Sequence, residues 1–118
     1  MAGQMVHFEV PTQDTKRSRE FWGSLFGWQF QAYEGSPTEY HMTRLSETQG
    51  GAISESEGRG IRLYFDADDV RASAAKVGEL GGESGEVMPV PSMGWFAVCK
   101  DVDGNEFGLW QTDPEASM

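Results

Sequence analysis

Val6, Phe8 and Val10 alternate with His7 and Glu9, and Ile61, Leu63 and Phe65 alternate in the same way with Arg62 and Tyr64. A period of two predicts a strand with two unlike faces. Each of these strands is followed by a helical pattern. Asp14 offers an N-cap, Phe21, Trp22, Leu25 and Phe26 form an apolar stripe, and Gly27 supplies a left-handed stop. Asp69, Val70, Ala74, Val77 and then Gly81 or Gly82 repeat that design. Aromatic and β-branched runs broken by turn residues come next and predict further strands. In the first half they run from Trp28 to Tyr33, Tyr40 to Leu45 and about Gly51 to Ser54; in the second, about Gly85 to Met88, Trp95 to Lys100 and Asn105 to Gln111. Asp103-Gly104 joins the last two as a hairpin signal.

The two halves are copies of one plan. Sliding the chain against itself by 55 positions (69 − 14) lays Asp14 on Asp69, Ser18 on Ser73, Gly23 on Gly78, Leu25 on Leu80 and Gly27 on Gly82. The predicted fold class is α+β: two tandem βαβββ modules forming a curved mixed sheet around a cleft, with the helices on the outer face. Module one is expected over about residues 4–55 and module two over about 59–112, all within a single domain of 118 residues, with a frayed tail over 113–118. Since Val6, Phe8 and Val10 turn toward the helix, His7 and Glu9 must look the other way, into the cleft.

Composition narrows the classes. Hydrophobic residues make up 38% and aromatics 12%, enough apolar bulk for a core without disulfide staples. The lone cysteine, Cys99, cannot form an internal disulfide, and neither a leader pattern nor a long apolar run is visible, so the expected address is the cytoplasm. Nine Lys and Arg against 19 Asp and Glu give a formal charge of −10. Such a field repels phosphate backbones and anionic lipid, which argues against nucleic acid and membrane as partners. It mildly favours cationic ligands, although solubility alone explains it.

The opening Val6-His7-Phe8-Glu9-Val10-Pro11, the segments Phe21-Trp22 and Leu25-Phe26-Gly27-Trp28, and the closing Gly94-Trp95-Phe96-Ala97-Val98 and Asp101 to Gln111 resemble the vicinal oxygen chelate superfamily of glyoxalases, bleomycin-resistance proteins and extradiol dioxygenases. The resemblance covers about residues 5 to 111. It implies paired modules, often assembled as a homodimer, and an activity of glyoxalase-type lyase or isomerase or of dioxygenase kind, without fixing one reaction. Metal-dependent members carry four inward ligands, mainly His and Glu, on the first and last strands of each module. Here those strands offer His7 and Glu9; Gly60, Arg62 and Tyr64; Gly50, Gly51 and Ala52; and Glu106, Gly108 and Trp110. Glycines stand about where ligand carboxylates would fall, and Arg62 would repel a divalent ion. No cofactor is therefore expected. A divalent metal on His7, Glu9 and Glu106 is the alternative.

The candidate site follows. His7 and Glu9 are the catalytic candidates, as a carboxylate two residues from an imidazole on one strand face can hold its tautomer and act as base. Arg62 either neutralises Glu9 or anchors an anionic or carbonyl group. Tyr64, Trp95 and Trp110, read in one inward phase, would line an aromatic pocket for a flat or apolar small molecule. The expected function is acid–base chemistry on an oxygenated small molecule in the cleft. The alternatives are sequestration of a cationic or aromatic compound without chemistry, and a metal-dependent lyase or dioxygenase. His41 reads as a surface or edge residue. Cys99 shares the inward phase yet lacks a partner histidine. His7-Phe8-Glu9 imitates a zinc-deaminase opening, but the required cysteine pair is missing.

Overall fold

The structure, a computed structural model, describes residues 2–58 and 60–117. The expected start of module two near residue 59 and the last residue of the tail lie outside that set. Two compact units are present, Val6–Arg62 and Leu63–Met118 with Met1–Met5. The class is α+β, with two helices and nine strands among the described residues.

In the Val6–Arg62 unit the elements are β1 (Met5–Thr12), α1 (Thr15–Phe26), β2 (Gln31–Ala32), β3 (Tyr40–Arg44) and β4 (Gly50–Glu55). This is the expected βαβββ order. The strands lie in the order β2-β3-β4-β1, with β1 parallel to β4 and the other pairs antiparallel. Asp14 caps α1 by accepting from the Arg17 N–H at 3.1 Å, and Gly27 ends it in the left-handed region, its N–H bonded to the Gly23 carbonyl at 2.8 Å. Phe8, Val10 and Ile53 form the core, covered by Trp22, Trp28 and Phe30. Trp22 and Trp28 stack with ring centroids 5.4 Å apart.

The apolar stripe of α1 does not pack as expected. Only Trp22 reaches the core, while Phe21, Leu25 and Phe26 stay 57–59% exposed. Thr15 is buried and Trp22 half-buried, so the face carrying them turns to the sheet and Phe21 and Leu25, four apart, share another. The predicted strand from Trp28 to Tyr33 shrinks to Gln31–Ala32 because Trp28 and Phe30 are spent against the core.

The Leu63–Met118 unit takes β5 (Arg62–Asp66), α2 (Val70–Glu79), β6 (Glu83–Ser84), β7 (Met88–Val90), β8 (Gly94–Lys100) and β9 (Glu106–Thr112). Its strands run β5-β9-β8-β6, with β7 also on β8, and β5 is parallel to β9. Asp69 caps α2 through the Arg71 and Ala72 N–H groups. The one strand predicted from Gly85 to Met88 is here two short strands on the same partner. Gly85 bonds Val98 and Met88 pairs with Phe96, so three steps oppose two and one surplus residue makes a bulge. The predicted hairpin is present: Gly104 sits in the left-handed region and Asp101 accepts from the N–H groups of Asp103 and Asn105, both at 2.9 Å. The core is Val70, Ala97, Cys99 and Leu109.

Residues 113–116 of the tail expected to fray are tied down. Asp113 accepts from the Trp95 indole N–H at 2.9 Å, Ser92 donates its N–H to the Ala116 carbonyl at 2.9 Å, and Ala116 is buried. The indole bond, with the Glu115 N–H, holds the Asp113 carboxyl below the usual carboxylate range. A depressed carboxylate stabilises above its unfolded pKa, and that contribution is lost as pH falls through the folded-state value. Asp113→Ala at neutral pH, or acid on the native chain, is therefore expected to lower the hydrogen-exchange protection of the Glu115 and Ala116 amides, each rate being taken relative to the intrinsic rate at that pH. Unchanged protection would contradict the tether. No helix among the described residues is long and apolar enough to cross a membrane.

Candidate functional site

The polar face of β1 is set by its core face. Phe8 and Val10 are buried against α1 and its neighbours, so alternation turns His7 and Glu9 to the opposite side of the sheet. On β4 the residues beside them in register are Gly50 and Ala52. On β3, Tyr40 pairs with Ser54 and Met42 with Ala52, which brings Tyr40 onto the same face.

Tyr40 completes the site. Its hydroxyl donates to Glu9 Oε2 at 2.7 Å and stands 2.7 Å from His7 Nε2. The His7 and Tyr40 rings lie nearly parallel, 18° apart. Arg62 Nη1 donates to the other Glu9 oxygen, Oε1, at 3.3 Å, with side chains 32% exposed for Arg62 and 20% for Glu9. One carboxylate is thus oriented from two sides by a hydroxyl and a guanidinium, both short of full burial. His7, Glu9 and Arg62 are brought together as the sequence suggested. Tyr40 was missed, since its partners lie 33 and 31 residues away and no local period connects them. The available signal was its phase with Met42 on the strand predicted from Tyr40 to Leu45.

Burial lowers the pKa of His7 from its ordinary value, about 6.5, opposed by the negative charge of Glu9. The imidazole is neutral in the folded chain where the unfolded chain would already bind a proton. Stability from this group is therefore complete above about pH 6.5 and is lost as pH falls from there toward the folded-state pKa. His7→Asn is expected to flatten the urea-midpoint profile in that window. A profile as steep as that of the parent chain would remove His7 as its source.

In the other unit, Tyr64 pairs in register with Gly108 and meets Phe96 edge-on at 6.5 Å. Trp110 pairs with Phe96, so Tyr64, Phe96 and Trp110 share one face. Trp95 does not join them: with Ala97 and Cys99 it faces α2, and the Arg71 guanidinium lies 5.3 Å from its ring centroid. The adjacent bulky pair Trp95-Phe96 hid the phase of β8, and it is Phe96 that occupies the aromatic face. Cys99 is likewise core, 2% exposed, not a pocket thiol. Glu106 is exposed and pairs in register with Lys100. His41 is largely covered rather than at the surface or an edge. Its strand lies between β2 and β4, and its Nε2 is 3.0 Å from Glu39 Oε1, which also accepts from Thr15 Oγ1 at 2.7 Å. A hollow of about 350 Å³ opens around the β2–β3 turn between Tyr33, Glu34, Glu39, Tyr40, His41 and Glu55; of the four site residues only Tyr40 borders it.

A resident divalent cation needs three or more converging donors. Among the described residues no three His, Cys, Asp or Glu side chains gather in that way. His7 and Glu9 are two donors that share a tyrosine hydroxyl, and Arg62 brings a permanent positive charge to the carboxylate. This set does not fit a metal, and no step is derived through one.

Residues 5–110 match the model of the glyoxalase-like domain family. A glyoxylase-like domain-containing protein of Didymella fabae is 27% identical over 91% of this chain and 92% of its own length. A relative from Mycobacterium bovis, 26% identical over 96% of this chain, is longer, and the chain spans 46% of it. Among solved structures, a methylmalonyl-CoA epimerase in complex with methylmalonyl-CoA and NH4+ superposes with a TM-score of 0.76 over 100% of both chains at 16% identity, a likeness of fold.

Proposed function

Since the chain belongs to the glyoxalase-like domain family, whose model spans nearly all of it, we propose that it performs acid–base chemistry on a small oxygenated molecule at the His7, Glu9 and Arg62 face of the first unit. The observation that carries this reading is the Glu9 carboxylate, fixed at 2.7 Å by a hydroxyl and at 3.3 Å by a guanidinium while 20% of its side chain remains open to solvent. A base held in one orientation beside a neutral imidazole can accept a proton from a bound ligand and return it. Arg62 steadies the carboxylate and sets a positive potential where an enolate or other oxyanion would form. Within the second unit, Tyr64, Phe96 and Trp110 form an aromatic face of their own.

The CoA ester bound by the epimerase of similar fold supports a carbonyl compound as the first probe. The same proposal places the protein in the cytoplasm as a homodimer, on its single cysteine and the family resemblance. Incubation in D2O with a panel of acyl thioesters, 2-oxo acids and α-hydroxy ketones tests it, read by mass spectrometry. Solvent deuterium entering at least one compound, and not when Glu9→Gln replaces the parent chain, is the expected result. A ligand bound tightly and recovered unlabelled would turn the reading to sequestration.

A further inference from the structure

Phe21, Leu25 and Phe26 of α1 are more than half exposed, and the two phenylalanines both lie against Trp22, with ring centroids 5.4 and 6.0 Å from its own. Large apolar side chains left together at the surface mark a contact site. The charge beside them is the reverse of the chain's. α1 holds Lys16, Arg17 and Arg19 against Glu20, a net +2 (3 − 1), whereas the whole chain carries −10. Beyond the Asp14 cap no acidic residue stands in its first turn, and cations there oppose the positive end of the helix dipole. Helix stability does not account for that placement. An acidic surface laid over it does.

The chain carries such a surface in its other unit. Leu80, at the end of α2, and Val102, in the turn between β8 and β9, are 67% and 68% exposed. They are neighbours, since a Cβ on the adjoining Gly81 would lie 3.4 Å from Val102 Cγ1. Within four positions of one or the other stand the exposed carboxylates Glu79, Glu83, Asp101, Asp103 and Glu106, against Lys76 and Lys100, a net −3 (2 − 5). Leu25 and Leu80 occupy the same place in the repeat, 55 positions apart (80 − 25). Each module thus exposes a leucine at one equivalent position and rings it with the opposite sign of charge.

We infer that the basic apolar patch of α1 is covered by the acidic Leu80–Val102 patch of a second copy of this chain. The inference rests on the homodimer reading above and names its surface. Like patches do not suit one another: α1 on α1 sets +2 against +2, and the other pairing sets −3 against −3, which costs affinity. Only the mixed pairing joins opposite charge to apolar contact, and in a homodimer each copy offers both halves of it.

Sedimentation equilibrium tests this on the parent chain, with an expected mass about twice the 13.1 kDa of one copy. Added salt should weaken the dimer, because exposed charge pairs are screened. Lys16→Glu with Arg17→Glu reverses one patch, and Glu79→Lys with Glu83→Lys reverses the other. Either pair alone is expected to raise the dimer Kd by about 10-fold or more, as attraction becomes repulsion. Thermal melts guard against misfolding, since glutamates suit a helix N-terminus and the first variant should keep its fold. Mixing the two variants should restore the dimer, each now supplying the sign that the other lacks. A dimer indifferent to both reversals, or not restored on mixing, overturns the inference and leaves the homodimer reading standing. A parent chain that stays at 13.1 kDa at every concentration overturns both and assigns the α1 patch to a different acidic partner.

Discussion

Glu9→Gln is expected to lower deuterium exchange into a responsive ligand by about 10²–10⁴-fold, the usual worth of a positioned acid–base group. The amide keeps the shape of the carboxyl and can still meet the Tyr40 hydroxyl and Arg62, so folding should survive. What it loses is the capacity to store a proton. Thermal melting beside the exchange assay separates the two effects: a collapse in exchange with a nearly unchanged Tm supports the role assigned to Glu9. Full exchange by the Gln variant would remove Glu9 from the chemistry and leave it a partner for Arg62 only.

The second large effect is structural and lies directly behind the site. Phe8, 7% exposed, sits between His7 and Glu9 in the chain and points into the core, with its ring 5.4 Å from that of Trp28. Gly51 faces it in register, and a Cβ there would strike the Phe8 ring. The bare backbone at Gly51 makes room for the aromatic side chain of Phe8 in the core. Phe8→Ala leaves that space empty and is expected to cost about 3–5 kcal/mol, read from urea denaturation. The residue also anchors the strand on which His7 and Glu9 alternate, so ligand affinity should fall with stability. A loss below about 1 kcal/mol would mean that the core closes around the gap, as well-collapsing sites do.

Much of this arrangement was legible from the residues. The repeat, the two strand-then-helix openings, both Asp caps, the Gly27 stop and the Asp103-Gly104 hairpin follow from local chemistry, in which each residue is chosen for its own backbone position. The pairing of His7 and Glu9 on one face follows from the same period of two. What local periodicity does not contain is register between distant strands. Tyr40 enters the site because β3 lies beside β4 and β4 beside β1, a sum of two pairings separated by long stretches of chain. The phase of β8 was lost for a related reason: Trp95 and Phe96 are both bulky and apolar, so alternation does not distinguish them, and only the pairing of Phe96 with Trp110 does. On α1 the apolar stripe is a local pattern that does not say which of its members meets the sheet: Trp22 packs on the core, and Phe21, Leu25 and Phe26 stay exposed. The tail was expected to fray on composition. The indole-to-carboxylate bond, the backbone bonds from Asp113 to Met93 and from Ser92 to Ala116, and the burial of Ala116 together tie residues 113–116 down.

The chemistry assigned to the chain comes down to where a ligand lies. A crystal structure of the protein with a ligand that exchanges deuterium is the most direct measurement. The account predicts a ligand oxygen or acidic carbon within hydrogen-bonding reach of Glu9 or His7, roughly 2.6–3.2 Å between heavy atoms, with Tyr40 still bridging the two. A ligand seated instead in the hollow by Tyr33 and Glu34, with His7 and Glu9 untouched, would contradict it.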